Sequence, residues 1–347
     1  MIFFQEPLSI GELWSLTGGE IFGSPEKPVS ELATFSEARP GSLVVVLGGK
    51  QIKGLPPGTI LVAKKESFSA GMEGISVEDP KKALVILLEH IKEQLPANKG
   101  IHDSSVISPG AVVDPRASIG PFCVIEEGAR IARGAILKAH VFVGKGSVVD
   151  EDTVVHPHVV IYHGTRIGKN SIIHSGCVIG ADGFGFMPEQ DNVPIKIPQL
   201  GGVRIGNNVE IGACSTVDRG TISDTVIMDN VKMDDHVHVA HNVIVGKGCI
   251  LVAMTGLAGS SVLEDGVIMA AKSGTGDHVR IGKGAQVAAL GGAIKDVPPG
   301  AVVSGFPARD HRKNFRIAAL TQRLPDLFNK VRELEKKISS IMEDRKC

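Results

Sequence analysis

From Ile101 to Ile179 every sixth residue is Ile, Val or Leu. A small or β-branched residue stands four places after each, as at Ala117, Cys123, Ala129, Ala135, Ser147 and Thr153. Gly often follows the aliphatic residue directly, at Gly120, Gly144, Gly168 and Gly180. A period of six matches neither an amphipathic helix, near 3.6, nor a half-buried strand, 2. It is the period of a hexapeptide β-helix. Each hexad makes a short strand and a turn, and three hexads close one triangular coil of 18 residues. The aliphatic side chain points into the prism, the small one fits beside it, and stacked coils pair their strands at ~4.8 Å. The predicted fold is mainly β, a left-handed parallel β-helix over residues 100–310. Its handedness is taken from the known hexapeptide class.

The rule lapses between Ala181 and Gly202, a stretch holding Asp182-Gly183-Phe184-Gly185-Phe186 and three prolines. A break of that length in a strict repeat is an excursion loop, and such loops usually carry function. The repeat returns at Ile205, Ile211 and Val217, slips by four residues, resumes from Ile227 to Met269, and weakens through Thr275, Ile281 and Val287.

Residues 1–99 lack the hexad. Short apolar runs (Leu43 to Leu47, Ile60 to Ala63) alternate with Pro-Gly turns, and a helix is expected from about Pro80 to Gln94 with Ala83, Leu84, Leu87, Leu88 and Ile91 on one face. This reads as a small N-terminal α/β domain, joined by a linker at 96–100. Over 311–347 the pattern turns helical. Leu320, Leu324, Leu327, Val331, Leu334, Ile338 and Ile341 alternate four and three apart, a coiled-coil seam. Pro325 is expected to break or restart the helix. Two readings of this extension stay open: a cap on the last coil, and a bundle about a three-fold axis.

Composition narrows the function classes. With 37 Lys+Arg against 38 Asp+Glu, the net charge of −1 gives no overall attraction to nucleic acid or an anionic membrane. Aromatics are 4% of the chain and glycines number 42, which suits a thin repetitive β architecture. Five cysteines without a C-x-x-C pair argue against a disulfide framework or thiolate zinc site, and for a reducing compartment. No signal peptide or membrane span is read, so the expected location is cytoplasmic.

The candidate chemistry rests on histidines. His140 and His158 are one coil apart, as are His156 and His174, so each pair should stack. His236 and His241 mimic part of a β-helix zinc site, but counting two coils of 18 back from His241 reaches Ile205. No metal is expected. His278 is one residue off the position two coils above His241, which is Asp277. Two imidazoles along one edge could flank an elongated substrate, and a neutral imidazole suits a general base near pH 7.

Four stretches then occur in order: Gly180-Ala181-Asp182-Gly183-Phe184-Gly185-Phe186; Lys196-Ile197-Pro198-Gln199; Val209-Glu210-Ile211-Gly212-Ala213-Cys214 with Thr216-Val217-Asp218-Arg219-Gly220; and Ala240-His241-Asn242-Val243. Together with the three-part architecture they resemble the UDP-3-O-(3-hydroxyacyl)glucosamine N-acyltransferase family over nearly the whole chain. The resemblance implies transfer of a 3-hydroxyacyl group from acyl carrier protein, where it hangs on 4'-phosphopantetheine, to the 2-amine of UDP-3-O-acylglucosamine in lipid A synthesis. It implies a homotrimer with clefts between the β-helices, and neither cofactor nor covalent enzyme intermediate. His241 matches the family's general base, Asp234 an acid that orients or polarises it, and Gly259 the residue whose N–H supports the oxyanion. His278 matches a second histidine that holds substrate. Asp182, Phe184, Phe186 and Asn242 fall among the substrate-binding positions. An apolar slot for the acyl chain is expected near the C-terminal coils. Lys295, Arg309, Arg312, Lys313 and Arg316 form a basic cluster suited to an acidic carrier protein.

The N-terminal domain departs from the family pattern. After Pro40-Gly41 the family places aromatics and an Asn-Pro-Lys-Tyr-like segment that grips uracil; here Ser42-Leu43-Val44-Val45-Val46-Leu47-Gly48-Gly49-Lys50-Gln51 has neither aromatic, and Gly49 replaces the Asn. Stacking on the base would be lost. Beside the active N-acyltransferase stands a second reading, a β-helix protein whose altered nucleotide pocket leaves it non-catalytic or acting on a different nucleotide amino-sugar.

Overall fold

The computed structural model describes residues 2–48, 52, 54–93, 100–188, 193–305 and 311–344. Gly49, Lys50, Gln51, most of the 96–100 linker and Arg309 lie outside the described residues, and the Lys313 and Ile341 side chains are not described. The chain divides into two compact units, residues 1–97 and 98–347.

The first unit is a six-stranded sheet in the order β1-β3-β4-β5-β6-β2. The strands are β1 (Ile2–Ser9), β2 (Glu20–Phe22), β3 (Pro28–Leu32), β4 (Ser42–Val45), β5 (Ile60–Ala63) and β6 (Glu73–Ser76). The predicted apolar runs are β4 and β5, buried because each is flanked by a parallel neighbour. Helix α1 (Ile10–Thr17) opens on a capping box, Ser9 with Glu12. Helix α2 (Pro80–Glu93) matches the expected helix, and Ala83 and Leu87 are its buried centre. Leu88 is 39% exposed, contrary to the expected face. At about 100° per residue it turns away from a stripe centred on positions 83 and 87.

The second unit is the β-helix. Its described strands form three parallel sheets of ten, nine and ten, each strand pairing with the equivalent one of the next coil. Val124, Phe142, Val160 and Val178 follow one another at the 18-residue period in one sheet. The sixth-position aliphatics fill the prism: Ile125, Val143, Ile161, Ile179, Val217, Val239 and Leu257 are wholly buried, each contributing roughly 1.5–3 kcal/mol. The small partners Ser147, Thr153, Thr165 and Ser171 are wholly buried beside them. The hydroxyls of Ser147 and Thr153 donate to the Tyr162 and Gly168 carbonyls of the next coil, which removes the cost of burying them. Corners recur at the same period with a left-handed residue, Gly at 128, 146 and 248, often Asn, Asp or His elsewhere, and bulkier residues such as Phe122, Met254 and Leu290 at others. The cysteines Cys123, Cys177 and Cys249 are buried and free, and burial pushes the Cys177 thiol up to about 11, so these thiols are packing groups.

Two irregularities interrupt the prism. Between Lys169 and its stacking partner Asn207 the spacing is 38 residues, because the excursion leaves after Ala181 and returns at Val203. The next coil takes 22 residues, as between Thr216 and His238, which accommodates the four-residue slip as a bulge at Gly220–Ser223. Beyond the last strand (Val302–Val303) come α3 (His311–Gln322) and α4 (Leu324–Asp344), with Pro325 in the first turn of α4. Among the described residues no helix is long and apolar enough to cross a membrane.

Candidate active site

The strand His238–Val239 ends in a corner formed by Ala240, His241 and Asn242, with Asn242 left-handed (φ 61°). The next two corners stack on it: Ser260 N donates to the His241 carbonyl at 2.9 Å, and His278 N to the Gly259 carbonyl at 3.0 Å. One edge therefore carries the column His241, Gly259, Asp277, beside the column Asn242, Ser260, His278. The expected alignment of His241, Gly259 and His278 is present within one chain. His278 is exposed and His241 half-buried.

The His241 ring lies between two glycines. A β-carbon on Gly259 would stand 2.7 Å from its Cε1 and 2.8 Å from its Nε2; one on Gly183 of the excursion would stand 2.6 Å from its Cβ and 2.9 Å from its Cδ2. Both glycines are required by space, since neither has a left-handed φ. At some other corners the equivalent amide is capped by a side chain, Ala213 N by Asp235, Lys247 N by Asp265 and Ala253 N by Asp234, while Ala139, Ala271 and Asp277 have no acceptor among the hydrogen bonds of the described residues. Among the hydrogen bonds of the described residues the Gly259 N–H has no acceptor.

The coil before His241 supplies Arg219, whose N donates to the Ala181 carbonyl. Ala181 is in register with Asp218, so the position two coils before His241 is Asp182 rather than Ile205, because the excursion and the slip both intervene. This corrects the count made on the uniform period. The Arg219 guanidinium, 3% exposed, donates to Nε2 and to the carbonyl oxygen of His163, which ties the root of the excursion to the prism. Asp218 faces outward beside it, with Oδ2 3.7 Å from Nε2 of His238. Burial pushes its carboxyl up to about 6, against the pull of His238 and His241, with Asp182 adding to the rise.

The excursion forms a small hairpin, Phe186–Met187 against Ile195–Lys196. Lys196 pairs with Asp182. Phe184 and Phe186 meet edge-on, centroids 5.0 Å apart, and Phe184 is 84% exposed. Phe186 is exposed as well, at 46%. The Asn242 amide is hydrogen-bonded on both sides within the chain, to Thr221 and to Ser223. Asp234 is not brought to His241: it lies on the adjacent corner, where its carboxylate accepts from Asp235 N and Ala253 N. Lys295, Arg312 and Arg316 are exposed. The expected histidine stacks are present, with ring centroids 4.9 Å apart for His140 and His158 and 5.0 Å for His156 and His174. Among the described residues no group of three or more His, Cys, Asp or Glu is placed to hold a metal.

Beyond His238 the same sheet is stripped to glycine: His238 pairs with Gly256, Gly256 with Gly274, and Gly274 with Gly292. A β-carbon on Gly256 or Gly292 would meet nothing within 4 Å. The result is a smooth strip leading from the histidines toward the C-terminal coils. A separate shallow groove of 420 Å³, lined by Val148, Arg166, Arg204, Val226 and Met228 among others, includes none of the residues around His241. Asp218, Gly183 and the glycine strip carried no assigned role in the sequence reading. For the strip and Asp218 the signal existed: the plain 18-residue period runs the strip on from His238, and counting through the four-residue slip places Asp218 beside it.

A model of the bacterial transferase hexapeptide family (six repeats) matches residues 146–181. A UDP-3-O-acylglucosamine N-acyltransferase of Pseudomonas syringae pv. tomato is 33% identical over 341 residues, 96% of each chain. The protein of that name from Coxiella burnetii (strain Dugway 5J108-111) is 34% identical over 334 residues, 95% of this chain and 98% of its own. Among solved structures, an Arabidopsis UDP-N-acetylglucosamine acyltransferase superimposes with a TM-score of 0.50 at 26% identity, covering 59% of this chain and 71% of that one.

Proposed function

The chain belongs to the UDP-3-O-acylglucosamine N-acyltransferase family, and on that premise we propose how its own residues carry out acyl transfer in lipid A synthesis. The acceptor is the 2-amine of UDP-3-O-acylglucosamine. The donor is a 3-hydroxyacyl thioester on the 4'-phosphopantetheine of acyl carrier protein. The amine nitrogen attacks the thioester carbon while His241 takes its proton, and the carbonyl electron pair moves onto oxygen. The Gly259 N–H, uncapped among the described residues, donates to that oxyanion. Collapse breaks the C–S bond, the amide forms, and the imidazolium returns its proton to the leaving thiolate. His278, one corner further along, holds the substrate.

The observation that carries this reading is how closely the His241 ring approaches Gly259: a β-carbon there would stand 2.8 Å from Nε2, which supports a proton acceptor and an oxyanion donor at one corner. The glycine strip from Gly256 to Gly292 gives the acyl chain a straight apolar slot. The apolar seam of α4 is uncovered in the single chain (Leu327 57%, Leu334 57% and Ile338 55% exposed), which supports a trimer held in part by these helices. In such a trimer the second wall of each cleft comes from a neighbouring copy. Asp234 can act on His241 only across that cleft. Lys295, Arg312 and Arg316 offer the carrier protein a basic landing surface. Without aromatics after Pro40-Gly41, uridine is held without stacking at those positions.

Purified protein is incubated with UDP-3-O-(3-hydroxyacyl)glucosamine and 3-hydroxyacyl-carrier protein, and the product is read by mass spectrometry beside His241→Ala. A diacylated product, with a loss of ~100-fold or more in the variant, is expected. No product from a folded trimer would overturn the acceptor assignment and favour a different nucleotide amino-sugar.

A further inference from the structure

We propose that Asn242 is a positioning residue that fixes the tautomer of His241, and that the two irregularities of the β-helix exist side by side to hold it. The inference rests on the acyl-transfer reading above, in which His241 is the base. The Asn242 Oδ1 accepts from the backbone N–H of Thr221 at 3.1 Å. Its Nδ2 donates to the carbonyl of Ser223 at 3.1 Å and to the Ser223 hydroxyl at 3.0 Å. A backbone N–H only donates and a carbonyl only accepts, so the amide is oriented from both ends.

The atom 3.2 Å from Nδ1 of His241 is therefore Oδ1, an acceptor. Neutral His241 must carry its proton on Nδ1 to make that bond, which leaves the lone pair on Nε2. Nε2 is the nitrogen that lies against Gly259. The opposite tautomer would set a lone pair against Oδ1 and aim an N–H where the base must accept.

Thr221 and Ser223 both belong to the four-residue slip. The single proton of the Thr221 hydroxyl goes to Gln199 Oε1 at 2.9 Å, and Gln199 Nε2 donates to the Ile197 carbonyl at 3.0 Å, so the return limb of the excursion holds Thr221 in place. Left-handed geometry alone does not account for this. Asn170, Asn208 and Asn230 occupy the same corner conformation, with no side-chain hydrogen bond among the described residues. The titratable and charged groups around the ring are Asp218 and Arg219 on the preceding coil, His238 on its own, Asp182 with Lys196 on the excursion, and His278 above.

The test uses the full-length enzyme. Asn242→Gly keeps the left-handed corner, as Gly248 and Gly266 do, and removes the clamp. Asn242→Asp keeps an acceptor but adds charge. The glycine variant is expected to lose kcat by up to roughly 10⁴-fold, the scale of a wrong histidine tautomer, with KM for the sugar nucleotide little changed. The Asp variant is expected to retain more kcat, with the acid limb of its kcat–pH profile moved to higher pH, because a carboxylate favours the imidazolium. Long-range proton–nitrogen spectra of 15N-histidine-labelled protein, with His241 assigned by difference from His241→Gln, should show Nδ1–H in the wild type and its loss in Asn242→Gly. An Nε2–H signal in the wild type, or wild-type kcat in Asn242→Gly, overturns the proposal. The spectrum is read without turnover, so an inactive wild type with Nδ1–H would count against the transfer reading alone.

Discussion

The His241 imidazole closes off the space a β-carbon on Gly259 would need, since such an atom would stand 2.7 Å from Cε1. Gly259→Ala should therefore swing the base out of place and crowd the N–H it stands beside. Its backbone has no left-handed φ, so the substitution adds no strain to the prism. The expected result is a fall in kcat of ~100-fold with an unchanged melting temperature. Gly183→Ala, whose β-carbon would stand 2.6 Å from Cβ and 2.9 Å from Cδ2 of His241, should do the same. Wild-type turnover in either variant would mean the ring is not held where the structure places it.

Asp218 couples the site to stability. Its carboxyl, 11% exposed on the side chain, is raised to about 6 chiefly by burial. The folded protein thus holds the proton more tightly than the unfolded chain, whose Asp titrates near ~4. Asp218 is tolerated best below that lower value, and its ionisation costs stability as pH rises toward and through 6. Asp218→Asn should be more stable than wild type at pH 8, by on the order of 1–3 kcal/mol, and the gap should close on acidification toward pH 4. Urea titrations at the two pH values measure it. A gap that widens in acid would contradict the assignment.

Most of the prism was legible because its code is local. An aliphatic residue every sixth position and a small one four places on describe the same coil that Val124, Phe142 and Val160 form. The histidine stacks followed from that arithmetic. It failed where the chain leaves the period. Column-counting back from His241 reached Ile205 instead of Arg219 and then Asp182, since an excursion's length does not reveal where it re-enters. Gly183 meets His241 only after the loop folds back, so no spacing in the sequence announces the contact. Leu88 was misplaced for a different reason: five apolar residues on α2 make a stripe wider than the sheet beneath it can cover.

The glycine strip gives a cleaner probe of the slot than any bulky residue around it. A side chain at Gly256 would point into open space, with nothing within 4 Å of its β-carbon, so the fold should accept Val there. The valine would stand one coil beyond His238, across the path assigned to the acyl chain. Gly256→Val is expected to lower kcat/KM for a long 3-hydroxyacyl donor at least tenfold, and for a short one much less. Equal effects on both donors would place the chain elsewhere.

Helix α4 tests assembly separately from chemistry. Its seam (Leu324, Leu327, Val331, Leu334, Ile338) is 43–57% exposed in the single chain, and a seam spaced four and three gains stability only against other helices. A chain ending after Gln322 keeps every residue around His241 and the whole prism. If the seam joins copies, sedimentation should show this truncated protein dissociating at concentrations where the full chain is trimeric, with activity lost in parallel because the second wall of each cleft goes with the partner. Leu327→Asp with Leu334→Asp should reproduce the effect without shortening the chain. A truncated trimer of full activity would assign the seam to some other surface, and leave the β-helix faces alone to hold the copies together.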